Sequence, residues 1–318
     1  MRCTLMTGLI LALGLTARAD QDTKLELRYA FKKGEKFSYK LVHNLSVRLD
    51  KVPEILQGVV PEDPIDVKFE ALIDVEVTDV AESGTALLVG TWRTAKAKGH
   101  VMVNDIDFDY DAAKAVAEKP KKKEEEDPAL QSFGDLQDTL AKMVRTTLKL
   151  SVDTLGKVSI TEGSGRLGEM ESAFRSLNGL MGPLPKEKVG KGDSWKDELK
   201  LGMPGVGGNV DIKIRSTNTI DSIEKQGDDD CVVVKSKYAV GRLPGEKEEA
   251  PPAGIEAKIK TEGEGEGKTT FSLTKHRALQ SHSLLKVKVS ASIPNQGGGD
   301  DLDLKAQLKV ETAHEMSR

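Results

Sequence analysis

Aromatic residues make up 4% of the 318-residue chain, too few to furnish stacking platforms for nucleic-acid bases or a sugar cleft walled by several rings. An excess of one charge is also missing. Lys and Arg number 47 against 51 Asp and Glu, for a net charge of −4, so the chain carries no basic footprint for nucleic acid. Cysteine is nearly absent. Cys3 stands ahead of an apolar run, and Cys231, followed by Val232, Val233 and Val234, reads as a small buried hydrophobe; no internal disulfide is expected. HExxH and GxSxG do not occur, and carboxylates are too numerous for any pair to stand out as catalytic. The expectation is a protein that is not an enzyme and takes no cofactor.

Long apolar runs are limited to Leu5–Leu15, preceded by Arg2 and followed by Ala17-Arg18-Ala19. A positive start, a short apolar core and small residues before a cleavage point form the pattern of a secretory signal, and the run is too short to span a bilayer. Residues 1–19 are thus predicted to be a signal peptide. Cys3 is misplaced for a lipoprotein anchor. The expected mature protein begins near Asp20, is periplasmic or extracellular, and has no transmembrane segment.

One device occurs twice. Lys32-Lys33-Gly34-Glu35-Lys36-Phe37-Ser38-Tyr39 and Lys188-Val189-Gly190-Lys191-Gly192-Asp193-Ser194-Trp195 each join a wet glycine turn to a strand that opens on an aromatic. Two similar halves of a single β-rich domain, 20–318, are predicted: 20–112 and 146–318. A charged loop, 113–127, and a helix, 128–145, join them. Alternation of apolar and polar residues marks strands from Leu25 to Phe31, Phe37 to Leu49, Val67 to Val77, Leu88 to Trp92, Val101 to Tyr110, Leu148 to Val152 and, after the Asp153–Gly156 turn, Val158 to Ile160, and in nearly every segment after Trp195. Leu25–Phe31 and the strand after Gly34 read as a hairpin. Parallel strands covered on both faces would be continuously apolar, so the pattern favours a large antiparallel sheet with one wet face.

Two helical stripes interrupt the strands. Asp127 caps the first, with Pro128 at its first position and Leu130, Phe133, Leu140 and Met143 on one side; the second carries Leu167, Met170, Phe174, Leu177 and Met181 and ends at Gly182. The fold class expected is mainly β: a curved sheet or incomplete barrel with both helices on its concave face.

Several motifs invite chemistry. Gly163-Ser164-Gly165-Arg166-Leu167-Gly168 matches GxGxxG, but the strand before it alternates like a hairpin arm and no buried parallel strand follows. The GEGEGKT run within Thr261–Thr270 misses the phosphate-loop spacing and continues as a strand. Asp107, Asp109, Asp111 and Glu118 fit four positions of a calcium-loop template, yet Ala112 stands where the turn needs glycine, and a strand face lined with solvated carboxylates is the competing reading. His43 falls on an apolar strand face without a second metal ligand. His276 and His282 flank a turn without a third.

The signal peptide, the Tyr29–Tyr39 opening, the Val189–Trp195 segment, and Gly265–Phe271 followed by Ala278-Leu279-Gln280-Ser281 resemble a family of exported bacterial proteins of unknown function. The strand pattern with two inserted helices is similar, in architecture only, to the half-barrel of bacterial lipoprotein carrier and sorting proteins. The leading expectation is a soluble envelope protein that holds an apolar ligand, lipid or a lipoprotein acyl chain, between the concave sheet face and the helices. Phe133, Met143, Met170, Phe174 and Met181 are then the candidate pocket lining, since methionine and phenylalanine on helices form adaptable apolar walls; the same stripe also suits plain core. The alternative expectation is a non-catalytic structural or interaction protein that meets envelope proteins through a sheet edge or its wet face.

Overall fold

A computed structural model describes residues 24–54, 63–101, 104–114, 141, 144–162, 182–205, 208–241, 258–293 and 301–317. Twelve strands are found among them: β1 (Lys36–Lys51), β2 (Ile65–Val80), β3 (Ala86–Val101), β4 (Asn104–Asp111), β5 (Leu148–Val152), β6 (Val158–Glu162), β7 (Ser194–Gly205), β8 (Gly208–Gln226), β9 (Asp229–Gly241), β10 (Lys258–Ser272), β11 (Arg277–Ile293) and β12 (Leu302–Ser317). They form one sheet in the order β6-β5-β3-β2-β1-β12-β11-β10-β9-β8-β7, with β4 also on β3. Every pairing is antiparallel, as the period-two alternation requires. The ladder is open, because β6 and β7 do not pair with each other.

Most strands are long, and the sheet they build is strongly curled. The amide of Tyr29 donates to the Thr154 carbonyl in the β5–β6 turn at 2.8 Å, and the next amide, of Ala30, donates to His276 in the β10–β11 turn at 3.3 Å. In a flat sheet, five strand spacings of about 4.8 Å would hold those turns roughly 24 Å apart. Neighbouring residues about 3.8 Å apart could not reach both. Residues 182–190 draw the same end together: Leu184 N donates to Leu155 O at 2.9 Å, and Trp195 Nε1 on β7 donates to Pro183 O at 3.1 Å.

This geometry accounts for a departure from the sequence reading. Leu25–Phe31 alternates like a strand but joins no ladder, having a single bridge from Leu25 to Val189. It runs across the end of the curled sheet, so Leu27, Tyr29 and Phe31 are buried as strand residues would be, while the amides of Tyr29 and Ala30 find turn carbonyls. The neighbours of β1 are β2 and β12, and not this segment.

The two copies of the glycine turn make the same bonds. Gly34 N donates to Val77 O (2.8 Å) and Val77 N to Glu35 O (2.9 Å); Gly192 N donates to Ile220 O (2.9 Å) and Ile220 N to Asp193 O (3.0 Å). Both glycines have positive φ, 81° and 87°, the region a side chain disfavours. Each turn thereby pins the first residues of its strand, β1 or β7, to the end of the next.

Packing at this end is dense. Tyr29 stacks beside Phe31, Phe31 beside Phe37, and Tyr39 stands edge-on to Phe37 at 5.6 Å. Arg277 lies over the Phe37 and Phe31 rings, 4.6 and 5.5 Å from their centroids, and its guanidinium donates to Glu35 Oε1 at 2.7 Å. Around them Leu41, Ile73, Leu88, Trp92, Leu148, Val152, Val232 and Phe271 close a core.

Candidate functional site

The inner face of the sheet changes character along its strands. On β1, Tyr39 and Leu41 are each 1% exposed, whereas Leu45, four residues on and on the same face, is 37% exposed. Register sets Val67 on β2 and Val310 on β12 beside Leu45, then Ile65 and Leu308 beside Val47. These side chains are partly exposed. They form an apolar wall above the packed floor.

Glycines shape the other wall. Gly263, Gly265 and Gly267 alternate on the inner face of β10, and a Cβ on Gly263 or Gly265 would stand 2.3 or 2.4 Å from a β11 carbonyl oxygen. The missing side chains let residues of β9 and β11 meet across β10: Val240 and Val287 beside Gly263, Tyr238 and Leu285 beside Gly265. Ile214, Val289 and Leu308 complete this second cluster. Outward, Glu262 and Glu264 stand opposite Lys288 and Lys286, so the run that tempted a phosphate-loop reading is a stretch of β10 with a charged outer face.

Between floor and open wall lies a polar level. His43 is partly buried and its Nδ1 is 3.0 Å from Thr312 Oγ1. His314, two residues along β12 on the same face, is 3% exposed, and its Nε2 has no hydrogen-bond partner among the described residues. Its ring stands edge-on to Tyr39 at 5.9 Å. Burial, with His43 adding to it, pushes the His314 imidazole down from 6.5 to about 4; burial also lowers His43. Leaving a buried nitrogen unpaired costs about 1–3 kcal/mol. The Tyr39 hydroxyl is spent on Ala278 O at 3.1 Å, and burial raises its phenol far above the usual range.

Phe133, Met143, Met170, Phe174 and Met181 lie outside the described residues, as do the signal segment, Glu118, the GxGxxG match and nearly all of both predicted helices. Of the 128–145 helix, Val144 is described, and it packs into the floor at 3% exposure. Asp107, Asp109 and Asp111 stand along β4, where alternate side chains are spaced about 7 Å apart. Asp107 faces Lys98 at 3.8 Å, Asp109 faces Lys96 at 3.3 Å, and Asp111 faces Lys114 at 3.8 Å. No group of three metal-ligating side chains gathers among the described residues. His276 holds a turn at φ 53°, and His282 points outward to Glu311 at 2.9 Å. Cys231 is fully buried.

His314 is the residue the sequence reading passed over. The parity of Leu304, Leu308 and Val310 runs on through Thr312 to His314, and following it would have placed this histidine on the inner face with His43. No protein-family model matches the chain, and no curated protein is significantly similar to it.

Proposed function

We propose that the protein is an exported envelope protein that holds an apolar chain, such as a lipid or lipoprotein acyl chain, on the inner face of its curled sheet. The observation that carries this reading is the row of partly exposed Leu45, Val47, Val67, Leu308 and Val310 above a closed floor. Water gains nothing from such a surface, and covering a leucine or valine is worth about 1.5–3 kcal/mol. The two helical segments read from the sequence supply the facing wall, with Phe133, Met143, Met170, Phe174 and Met181 as its adaptable side. The Ala17-Arg18-Ala19 pattern supplies the route of export.

Native mass spectrometry of protein released gently from its own envelope fraction, followed by solvent extraction, tests the reading. A discrete added mass that extracts as lipid is expected. A clean apo mass would overturn it and favour the second reading, an interaction protein, for which the outer edges of β6 and β7, the ends of the ladder among the described residues, are the motivating feature.

A further inference from the structure

We infer that His43 and His314 form an anchor for the anionic end of a single-chain amphiphile, with the chain lying along the wall above them; this rests on the acyl-chain reading of the site. The inner face is apolar below this level, at Tyr39 and Leu41, and apolar above it, at Leu45 and Val310. Two imidazoles, diagonal neighbours across the β1–β12 pair, interrupt it. One of them keeps a buried nitrogen without a partner among the described residues. From His43 to Leu49 the strand rises about 20 Å, enough for an extended acyl chain to lie along β1 with its head at the histidines.

The charge logic favours an anion. On the inner face Phe69 stands beside His43 from β2, and Ser281 and Ser283 stand beside His314 and Thr312 from β11. The titratable neighbours are His43 and Tyr39; Arg277 and Glu35 lie beyond Tyr39 and pair with each other. Among these groups no carboxylate faces the imidazoles, so a proton on either lacks a counter-ion until the ligand brings one. The ligand's anion raises the imidazole pKa, and binding then takes up a proton. Affinity for an anionic head therefore tightens as pH falls, while affinity for a neutral head does not change.

The probes are decane-1-sulfonate, which carries no titratable proton of its own in this range, and decan-1-ol, titrated calorimetrically into the protein at pH 7, 6 and 5. An anion beside His314 raises its pKa by about 1–3 units, so sulfonate binding is expected to tighten several-fold between pH 6 and 5, below the tenfold limit of one linked proton, with alcohol binding flat. His314→Phe should abolish the slope. Equal, pH-independent binding of both probes would overturn the anchor and leave the apolar wall standing, as would a slope that survives in His314→Phe and His43→Phe alike. Failure of both probes to bind would overturn the acyl-chain reading together with the anchor.

Discussion

Arg277 offers the sharpest test of how the closed end is held. Its side chain is 5% exposed and pairs with Glu35, which is 31% exposed, while its guanidinium covers Phe37 and Phe31. Arg277→Met keeps apolar volume and removes the charge. Stranding the partner of a buried pair costs about 3–5 kcal/mol, but Glu35 keeps access to water, which brings the loss down to about 2 kcal/mol. The two ring contacts add about 0.5–1 kcal/mol each. The expected loss is about 3 kcal/mol, or roughly 6–12 °C in Tm for a domain of this size. Guanidinium unfolding followed by tryptophan fluorescence reads it, since Trp92 lies in the same core and Trp195 packs against it. Arg277→Lys should fall between, keeping charge without the planar fork. A loss under about 1 kcal/mol for Arg277→Met would refute the argument that this pair and its rings hold the end closed.

Gly156 has φ +84°, and a Cβ there would stand 2.5 Å from Tyr29 Cε2. Gly156→Ala should cost about 3 kcal/mol, strain of about 1–2 kcal/mol plus the clash, whereas Gly192→Ala, with open space at φ +87°, should show the strain alone in the same unfolding assay. Gly263→Ala drives a Cβ into Lys286 O and should cost about 1–3 kcal/mol; a neutral result in a thermal melt would show that the packing across β10 does not depend on glycine. Acid should weaken the fold through His314. Its folded pKa of about 4 lies below the ordinary 6.5, so the unfolded chain binds the proton first as pH falls. The stability is complete above about pH 6.5 and is lost progressively down to pH 4, by about 3 kcal/mol at 1.36 kcal/mol per pH unit. A pH series of unfolding curves on wild type and His314→Phe should show that part of the slope only in the wild type.

Much of the fold was legible because the sheet is antiparallel with one wet face. Period-two alternation over Phe37–Leu49 or Val67–Val77 specifies both strand and face, and the two glycine turns announce where β1 and β7 begin. The curl was not legible in detail. It depends on contacts distant in sequence, such as Tyr29 with Thr154 and Ala30 with His276, and on glycines of β10 whose meaning appears only when β9 and β11 are placed beside them. Leu25–Phe31 was misread for the same reason, because burial of alternate residues does not reveal which carbonyls the amides will find. The polar level of the site was half legible: His43 was placed on its apolar face by alternation, but His314 had to be carried there by the parity of β12.

The most direct test of the central claim is photo-crosslinking with a diazirine-bearing fatty acid, mapped by peptide mass spectrometry with and without excess unlabelled chain. Competable labelling is expected at inner positions of β1, β2 and β12, around Leu45, Val67 and Val310. Labelling on the outer positions Ser46, Lys68 and Lys309, or labelling of both faces that excess chain does not displace, would contradict it.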